Sequence, residues 1–310
     1  MKFQTFKNLD ANEGVFFQRQ LEHIKAKTYD IKYPTLKIAE GMIVPQSFEA
    51  DSGAQSITYR QYDQVGVAKL IANYADDLPR ADVKGIEVTV PVKGIGESFG
   101  YNIQEIRAAA KAGFPLTPKK ANAARRAVMQ KLEAIGFSGD TATGLVGFNG
   151  NANATEVTLP ADGTGASTTF ASKTAAQIIR DLNAMASAIV DATLGVEIPD
   201  TLLLPIAQYS DIATRQLTNT EVTVLQFFLK NSPYIKSVGW LNQLKTGGAG
   251  STTRMIAYRR DPDALTLEIP QNYEQLAPQE RNLEYVVPCH MRTGGVIFYY
   301  PLAMAFADGL

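Results

Sequence analysis

Apolar and polar residues alternate in two segments within the first third of the chain. In residues 55–60, Ile57 and Tyr59 alternate with polar residues, and in residues 86–92 every second side chain is apolar. This period of two predicts β-strands. The residues between them, 72–83, are polar and turn-prone. We therefore predict one long β-hairpin whose outer part has too few apolar residues to belong to a core.

A helical repeat follows this hairpin. Residues 101–111 predict a first helix, and Thr117 and Pro118 supply the N-cap and the first-turn proline of a second, which runs to about Ile135. The apolar residues of the second helix are three or four positions apart and form one stripe: Ala121, Ala124, Val128, Leu132 and Ile135. This stripe predicts one buried side.

The basic residues of the second helix lie mostly off the stripe: Lys119, Lys120, Arg125, Arg126 and Lys131. Glu133 is the single acid of the segment. The simpler interpretation is a solvated basic helix face. The alternative is a surface that faces the acidic residues of another subunit or an enclosed polyanion.

The remaining two thirds mix helices and strands. A glycine-rich loop at 139–150 and a short strand at 155–159 precede an amphipathic helix at 174–192. Further predicted elements are a buried strand at 201–205, short helices at 206–216 and 221–230, and strands at 235–241, 254–258, 265–269, 284–289 and 296–300. The glycine-rich residues 246–251 predict a hairpin tip. This order predicts an α+β fold around a small sheet.

The first 48 residues predict an arm instead of a folded unit. Phe17, Leu21 and Ile24 recur at helical spacing, but the stripe is narrow and an extended, proline-containing segment follows at 31–38. We expect this arm to lie over a partner. The first ten residues contain no apolar segment of signal-peptide length, so we expect synthesis in the cytoplasm.

Composition narrows the class of protein. The chain has 310 residues, more than one compact core usually organises, so we expect either two lobes or one domain with large excursions. With 45% hydrophobic and 20% charged residues it is globular. A net charge of −1 disfavours a dedicated nucleic-acid or membrane binder. One cysteine and two histidines exclude an intrachain disulfide and a Cys/His zinc cage.

Two motifs suggest catalysis only weakly. Lys93–Gly100 follows a strand and precedes a helix as a dinucleotide-binding turn would, but its third glycine is one position late and the preceding strand alternates. We expect a flexible hinge there, with a nucleotide-dependent enzyme as a remote alternative. Cys289 and His290 are adjacent, so on a strand they point to opposite faces, and a buried structural thiol is expected.

Clustered carboxylates are better interpreted as surface charge than as metal ligands. Asp76 and Asp77 lie near Arg80, and Asp261 and Asp263 follow a pair of arginines. No established metal-ligand spacing is present. We therefore assign no catalytic residue, metal or cofactor.

The order of these parts resembles a known family. The relevant segments are Tyr101–Ala110, Lys120–Ala127 with its paired arginines, Glu133–Asp140, and the Gly-Leu-Val-Gly-Phe-Asn sequence of Gly144–Asn149. Together they resemble the major capsid proteins of tailed bacteriophages, which have the Hong Kong 97 fold that encapsulin shells share. In that family, a helix with paired arginines leads to a similar Gly-Asp and Gly-Leu-x-Gly loop.

The resemblance implies a division of the chain. Residues 1–48 would be the N-terminal arm and residues 49–98 an extended loop that lies on a neighbouring subunit. Residues 99–171 and 263–291 would form the peripheral domain, including the spine helix 117–135, and residues 172–262 and 292–310 the axial domain. The helices from about 172 to 231 and the hairpin around Gly247 would point toward the five- and six-fold axes.

The function implied is that of a coat subunit. Copies would assemble as pentamers and hexamers into an icosahedral shell that encloses double-stranded DNA without a specific binding site, with scaffolding, portal or decoration proteins as separate partners. The alternative within the fold is an encapsulin-type compartment for a protein cargo. Since the arm and the hairpin cannot bury themselves within one subunit, we expect them to contact neighbours. The candidate contact residues are Phe17, Leu21, Ile24, Tyr59, Tyr74, Asp76, Asp77 and Arg80.

Overall fold

A computed structural model describes residues 31–70, 80–113 and 116–310. The chain divides into two units, and the larger one comprises Leu36–Leu310. Its helices are α1 (Ile103–Ala112), α2 (Leu116–Ser138), α3 (Ala175–Ala192), α4 (Ile206–Thr214) and α5 (Val224–Asn231). Its strands are β1 (Gln46–Ser47), β2 (Ser56–Val65), β3 (Asp82–Pro91), β4 (Lys93–Asn102), β5 (Thr155–Glu156), β6 (Thr201–Leu204), β7 (Ser237–Trp240), β8 (Arg254–Tyr258), β9 (Leu265–Glu268), β10 (Gln271–Gln275), β11 (Gln279–Arg281), β12 (Glu284–Thr293), β13 (Gly295–Phe298) and β14 (Met304–Asp308). This mixture confirms the α+β class.

The predicted long hairpin is confirmed as strands β2 and β3. They pair antiparallel over ten residues each, from Ser56 opposite Pro91 to Val65 opposite Asp82. The alternation seen at 55–60 therefore continues as a strand for five residues beyond Arg60. The polar segment around Asp76 lies outside the described residues, apart from its last members.

The expected hinge at Lys93–Gly100 is wrong. These residues belong to β4, which pairs antiparallel with β12 over its full length, while β10 and β11 pair with the opposite edge of β12. Glycine weakens a strand locally, but pairing with a ten-residue partner overrides that preference. A continuous strand leaves no strand-to-helix turn for a nucleotide, which removes the basis of the enzyme alternative.

Helices α1 and α2 lie next along the chain. Asn102 and Glu105 form a reciprocal cap at the start of α1, and Gly113 ends it in the left-handed conformation (φ 65°). Four of the five residues of the predicted stripe of α2 are buried, namely Ala124, Val128, Leu132 and Ile135, whereas Ala121 near the start of the helix is half-buried. Helix α2 packs against β4. Helix α2 extends three residues beyond the predicted end at Ile135.

A five-stranded sheet of order β5-β14-β8-β6-β7 lies between two hydrophobic clusters. Ile256 and Met304 face the cluster that contains the stripe of α2, whereas Met255 and Ala305 face the cluster built on α3. Because adjacent residues of one strand point to opposite faces, each central strand contributes to both clusters. The sheet therefore joins the two halves of the molecule.

The predicted helices and strands between residues 155 and 300 are present, with ends displaced by at most four residues. Strands β10, β11 and β14 were not predicted. The expected hairpin tip at 246–251 is wrong, because β7 and β8 do not pair: β6 lies between them, parallel to β7 and antiparallel to β8. Gly247 instead accepts a hydrogen bond at its carbonyl from the side chain of Asn149.

Glu133 is buried, whereas the sequence predicts that it lies on a solvated helix face. Its carboxylate is buried and accepts hydrogen bonds from the backbone N–H groups of Ile38 (2.9 Å) and Ala39 (2.8 Å) and from Nε2 of Gln243 (2.9 Å). Burial raises the pKa of Glu133 above its ordinary value, and the two backbone bonds oppose that shift only in part. One carboxylate thus fixes the start of the larger unit to α2. The predicted arm therefore does not extend to residue 48, because Ile38 and Val44 are fully buried in the core and β1 pairs with β9.

The raised pKa of Glu133 predicts a pH effect on stability. Because the folded state binds this proton more tightly than the unfolded state, the contribution of the group to stability increases as the pH falls toward its unfolded pKa. The free energy of unfolding of the wild-type subunit minus that of Glu133→Gln should therefore rise as the pH is lowered from neutral to about 5. Urea denaturation of unassembled subunits at each pH measures this difference.

Glu105→Gln is the matched control. The hydrogen bond from Lys120 lowers the pKa of the exposed Glu105, so the corresponding difference should fall as the pH drops through the carboxyl range. If the difference in unfolding free energy between the wild type and Glu133→Gln stays constant, or falls as the pH is lowered as it does for Glu105→Gln, the raised pKa of Glu133 is contradicted.

Candidate functional site

The base of the hairpin is attached to the body of the molecule. The Tyr59 hydroxyl donates to the carbonyl of Phe298 (3.3 Å), and its ring meets that of Tyr299 edge to face, with centroids 5.1 Å apart. Nε2 of Gln61 donates to the carbonyl of Tyr299 (2.6 Å). Tyr59, which was expected to contact a neighbouring subunit, thus contacts its own subunit and fixes the direction in which the hairpin leaves it.

Tyr299 is itself fixed by hydrogen bonds to Thr266 and Glu268. Its hydroxyl lies 3.1 Å from Oγ1 of Thr266 and 3.3 Å from the buried carboxylate of Glu268, to which Thr266 also donates (2.6 Å). Burial raises the pKa of both Tyr59 and Tyr299, so both phenols stay protonated as hydrogen-bond donors near neutral pH. A series of contacts thus connects the exposed strand β2 through Tyr299 to the buried carboxylate of Glu268.

Beyond this base the hairpin has no core. Thr58 bonds Thr89 across the strands (2.9 Å) and Arg60 pairs with Glu87 (2.8 Å), but all four side chains are exposed. Apolar side chains are exposed as well: Tyr62, Val65, Val83 and Ile86. A two-stranded sheet of this kind is at best marginally stable alone, so it requires a surface to cover it.

The basic residues of α2 occupy different surroundings. Nζ of Lys120 donates to Glu105 and to the carbonyl of Gly100, each at 2.8 Å. The guanidinium of the exposed Arg125 lies 6.0 Å from the ring of Tyr273, and Lys119 and Arg126 are half-buried. A contact of these residues with a polyanion or a neighbouring subunit stays a prediction.

The other predicted contact residues lie largely outside the described part of the chain. Phe17, Leu21, Ile24, Tyr74, Asp76 and Asp77 belong to segments that the structure does not describe, and Arg80 is exposed at the beginning of the segment that leads into β3. Their role in contacts between subunits is therefore also a prediction.

The glycine-rich loop after α2 is a tight structural joint. A Cβ atom on Gly147 would lie 2.2 Å from the backbone nitrogen of Gly139, so the two segments approach as closely as glycine alone permits. Phe148 is fully buried and meets the ring of Tyr258 edge to face at 5.0 Å. The loop thereby anchors the end of α2 to β8.

Sequence reasoning missed the function of the asparagine that follows. Asn149 accepts from Arg254 (3.1 Å), which also forms a two-point ion pair with Asp308 on β14 (2.7 and 2.8 Å). The same guanidinium lies over the ring of Phe306, 4.4 Å from its centroid. Arg254 therefore joins the loop to two strands of the central sheet.

Of the residues considered for catalysis or metal binding, one is buried in the core and another forms an ion pair. Cys289 is buried on β12, as predicted, and Asp261 forms an ion pair with Arg259 (3.0 Å). The described part of the chain holds no group of three or more His, Cys, Asp or Glu side chains placed to bind a metal. Among the described helices, none is long and apolar enough to cross a membrane.

An attached hairpin, a long helix packed on a sheet and a second α+β half are the features of the Hong Kong 97-like class of shell subunits. The family model for the major capsid protein matches residues 66–310, most of the chain. The chain therefore belongs to the major capsid protein family, whose members are structural subunits of virion capsids built from many copies of one protein.

Solved structures agree with this fold. The capsid of Myoviridae phage XM1 is 20% identical with a TM-score of 0.81, covering 96% of this chain and 99% of its own. Mycobacterium phage Ogopogo is 13% identical with a TM-score of 0.61, and the match covers 95% of this chain and 99% of that one. A virus-like particle from Pyrococcus furiosus is 12% identical with a TM-score of 0.53, and the match covers 88% of this chain and 95% of that one. No curated protein sequence matches significantly. These comparisons favour a phage capsid protein over the encapsulin alternative.

Replacing Tyr59 by alanine should loosen the hairpin without unfolding the body. The variant loses one hydrogen bond and one aromatic pair, together worth about 1 to 3 kcal/mol. Amide hydrogen exchange in β2 and β3 should accelerate, while exchange in α2 and β8 stays at the wild-type rate. Tyr62→Ala, an exposed tyrosine on the same strand, is the control and should leave exchange unchanged. Equal acceleration in both variants would contradict an anchoring role for Tyr59.

Proposed function

We propose that the chain is the coat subunit of an icosahedral phage shell, arranged in pentamers and hexamers around double-stranded DNA. The observation that carries this proposal is a hairpin attached firmly at its base and exposed along its length. Such a hairpin meets a different surface of the next copy, and contacts of this head-to-tail kind close into rings. Membership of the major capsid protein family supports the same conclusion.

The domain division inferred from the resemblance is part of this proposal. Residues 49–98 would extend over a neighbour, residues 99–171 and 263–291 would form the peripheral domain, and residues 172–262 and 292–310 the axial domain. The two hydrophobic clusters on either face of the central sheet support a molecule with two halves. The N-terminal arm would comprise the residues before Leu36 and would add further contacts with neighbouring subunits, whereas residues 36–48 belong to the body of the larger unit.

The contact with DNA would be nonspecific. A chain with a net charge of −1 has no overall attraction for a polyanion, but enclosure within a shell requires none. Local basic surface would come from Lys119, Lys120, Arg125 and Arg126. Scaffolding, portal and decoration functions would belong to other proteins, synthesis would occur in the host cytoplasm, and the subunit itself would have no catalytic activity.

Deleting Ala72–Arg80 should separate folding from assembly. The deletion removes the end of the hairpin and leaves its base at Tyr59 intact, so circular dichroism and the melting temperature of the unassembled subunit should match those of the wild type. Negative-stain electron microscopy should show shells or capsomers for the wild type and markedly fewer for the variant.

Each other outcome contradicts a separate part of the proposal. If the deletion unfolds the subunit, the end of the hairpin belongs to the core. If the variant assembles as well as the wild type, the segment contributes no contact between subunits. If the wild type remains monomeric or dimeric under all assembly conditions, the chain does not form a shell by itself.

A further inference from the structure

Strand β4 has one paired edge and one open edge. Strand β12 covers one edge along all ten residues, and no strand of the described chain pairs with the other. Beyond the end of β4, the N–H of Ile103 donates to the carbonyl of Leu283, which continues the same register and fixes its alternation. Gly94, Gly96, Ser98 and Gly100 therefore direct their N–H and C=O groups away from β12.

The partner strand is consistent with this assignment. Pro288 has no N–H group and lies opposite Ser98, where no bond between β4 and β12 is needed. The carbonyl of Pro288 instead accepts from Leu276, on the other side of β12. The outward backbone groups of β4 thus constitute a strand edge that another chain can extend.

Only one end of this edge is covered within the described residues, where Nζ of Lys120 donates to the carbonyl of Gly100 (2.8 Å). For Gly94, Gly96 and Ser98, the described part of the chain supplies no partner to the outward groups. An open edge of this length is a site for strand addition, and its side chains here are small enough for another backbone to approach closely.

A groove of about 410 Å³ runs between this edge and α2. Apolar side chains line it, among them Ile95, Val128 and Leu145. Lys93 and Lys131 are exposed at its border, and neither forms an ion pair with a described residue. Two acids, Glu97 and Asp140, line the groove as well. The groove therefore suits an extended segment with apolar side chains that places an acid beside Lys93 and Lys131.

Strand β3 of the hairpin has these properties. It is ten residues long, like β4, and the bond from Val92 N–H to the carbonyl of Gln55 shows that Val83, Gly85, Glu87 and Thr89 direct their backbone groups outward. Ile86, on the same face of the strand as Asp82, is 63% exposed, and Val83, on the opposite face, is 58% exposed. Asp82, at its start, has no cationic partner among the described residues.

The β3 strand of the same copy cannot occupy this edge. It is joined to β4 by Val92 alone, and an antiparallel hairpin requires at least two loop residues. We propose that β3 of a second copy adds to the open edge of β4 as a further strand, placing Asp82 near Lys93 and Lys131. This proposal rests on the proposed shell function and assigns the surface of the neighbour that receives the hairpin.

Disulfide trapping in assembled shells tests this contact. The native Cys289 is buried and is replaced by serine, so that introduced cysteines are the sole thiols. Subunits carrying Ser98→Cys are co-assembled with subunits carrying Val83→Cys, Ile86→Cys or Thr89→Cys, the panel allowing for the register. Mild oxidation should produce a covalent dimer with at least one partner, seen on a non-reducing gel.

Leu194→Cys is the matched control on the receiving subunit, because Leu194 is 93% exposed and lies outside the groove. It should give no dimer with the same hairpin cysteines. Charge reversal supplies a second measurement: Lys131→Glu in the Ser98→Cys subunit should reduce the dimer yield several-fold, and Asp82→Lys in the partner should restore part of it.

Each outcome decides between the alternatives. If shells form by electron microscopy but no panel member links to Ser98→Cys, or Leu194→Cys links equally well, the docking site is wrong while the shell function stands. Ser98→Cys subunits are also co-assembled with Leu21→Cys subunits, and a dimer in that pair alone would mean that the N-terminal arm occupies the edge and the hairpin does not. If no shells form even without introduced cysteines, the proposed function itself fails.

Discussion

A two-stranded β-sheet in water has no core, and this constraint explains most of the molecule. Strands β2 and β3 satisfy their inner backbone groups by pairing with each other, yet they leave two edges and several apolar side chains exposed. Tyr59 and Gln61 fix the base of the hairpin, so its direction is set by its own subunit. The exposed part of the hairpin must be covered by another molecule. In a shell of identical subunits, every hairpin has a neighbouring subunit that can cover it.

The body is constructed as a firm support for that hairpin. The stripe of α2 packs on β4, the loop after α2 places Phe148 against Tyr258, and Arg254 joins this loop to β14. The buried carboxylate of Glu133 attaches the beginning of the larger unit to the same helix. These contacts converge on α2 and on the central sheet, whose two faces carry the two hydrophobic clusters.

Local pattern sufficed for the elements whose periodicity was strong. The hairpin strands, the stripe of α2 and the helix at 175–192 follow from apolar spacing and capping residues alone. Strand β4 was missed because three glycines hide its pattern, and only the ten-residue partner β12 makes it a strand. The turn at 246–251 was misassigned because the pairing of β6 between β7 and β8 is a tertiary property.

The buried charges show a second limit. Glu133 lies off the apolar stripe and is covered by residues 94 and 95 positions away, so no local pattern reports its burial. Asp181 could have been found, because it lies on the buried side of α3 between Ile178 and Leu182, where an acid requires a partner; Lys173 supplies it. Of the site, the sequence singles out Tyr59, but as a contact with a neighbouring subunit. Its contacts with Phe298 and Tyr299 of its own chain join distant parts of the sequence, so no local pattern reports them.

The most direct test is a reconstruction of the assembled particle by cryo-electron microscopy, at a resolution that traces the backbone. The account predicts that the β2–β3 hairpin of each subunit leaves its base at Tyr59 and crosses to an adjacent subunit, with β3 alongside that subunit's β4. A hairpin folded back on its own subunit, or one that projects into solvent with no neighbour beneath it, would contradict the account.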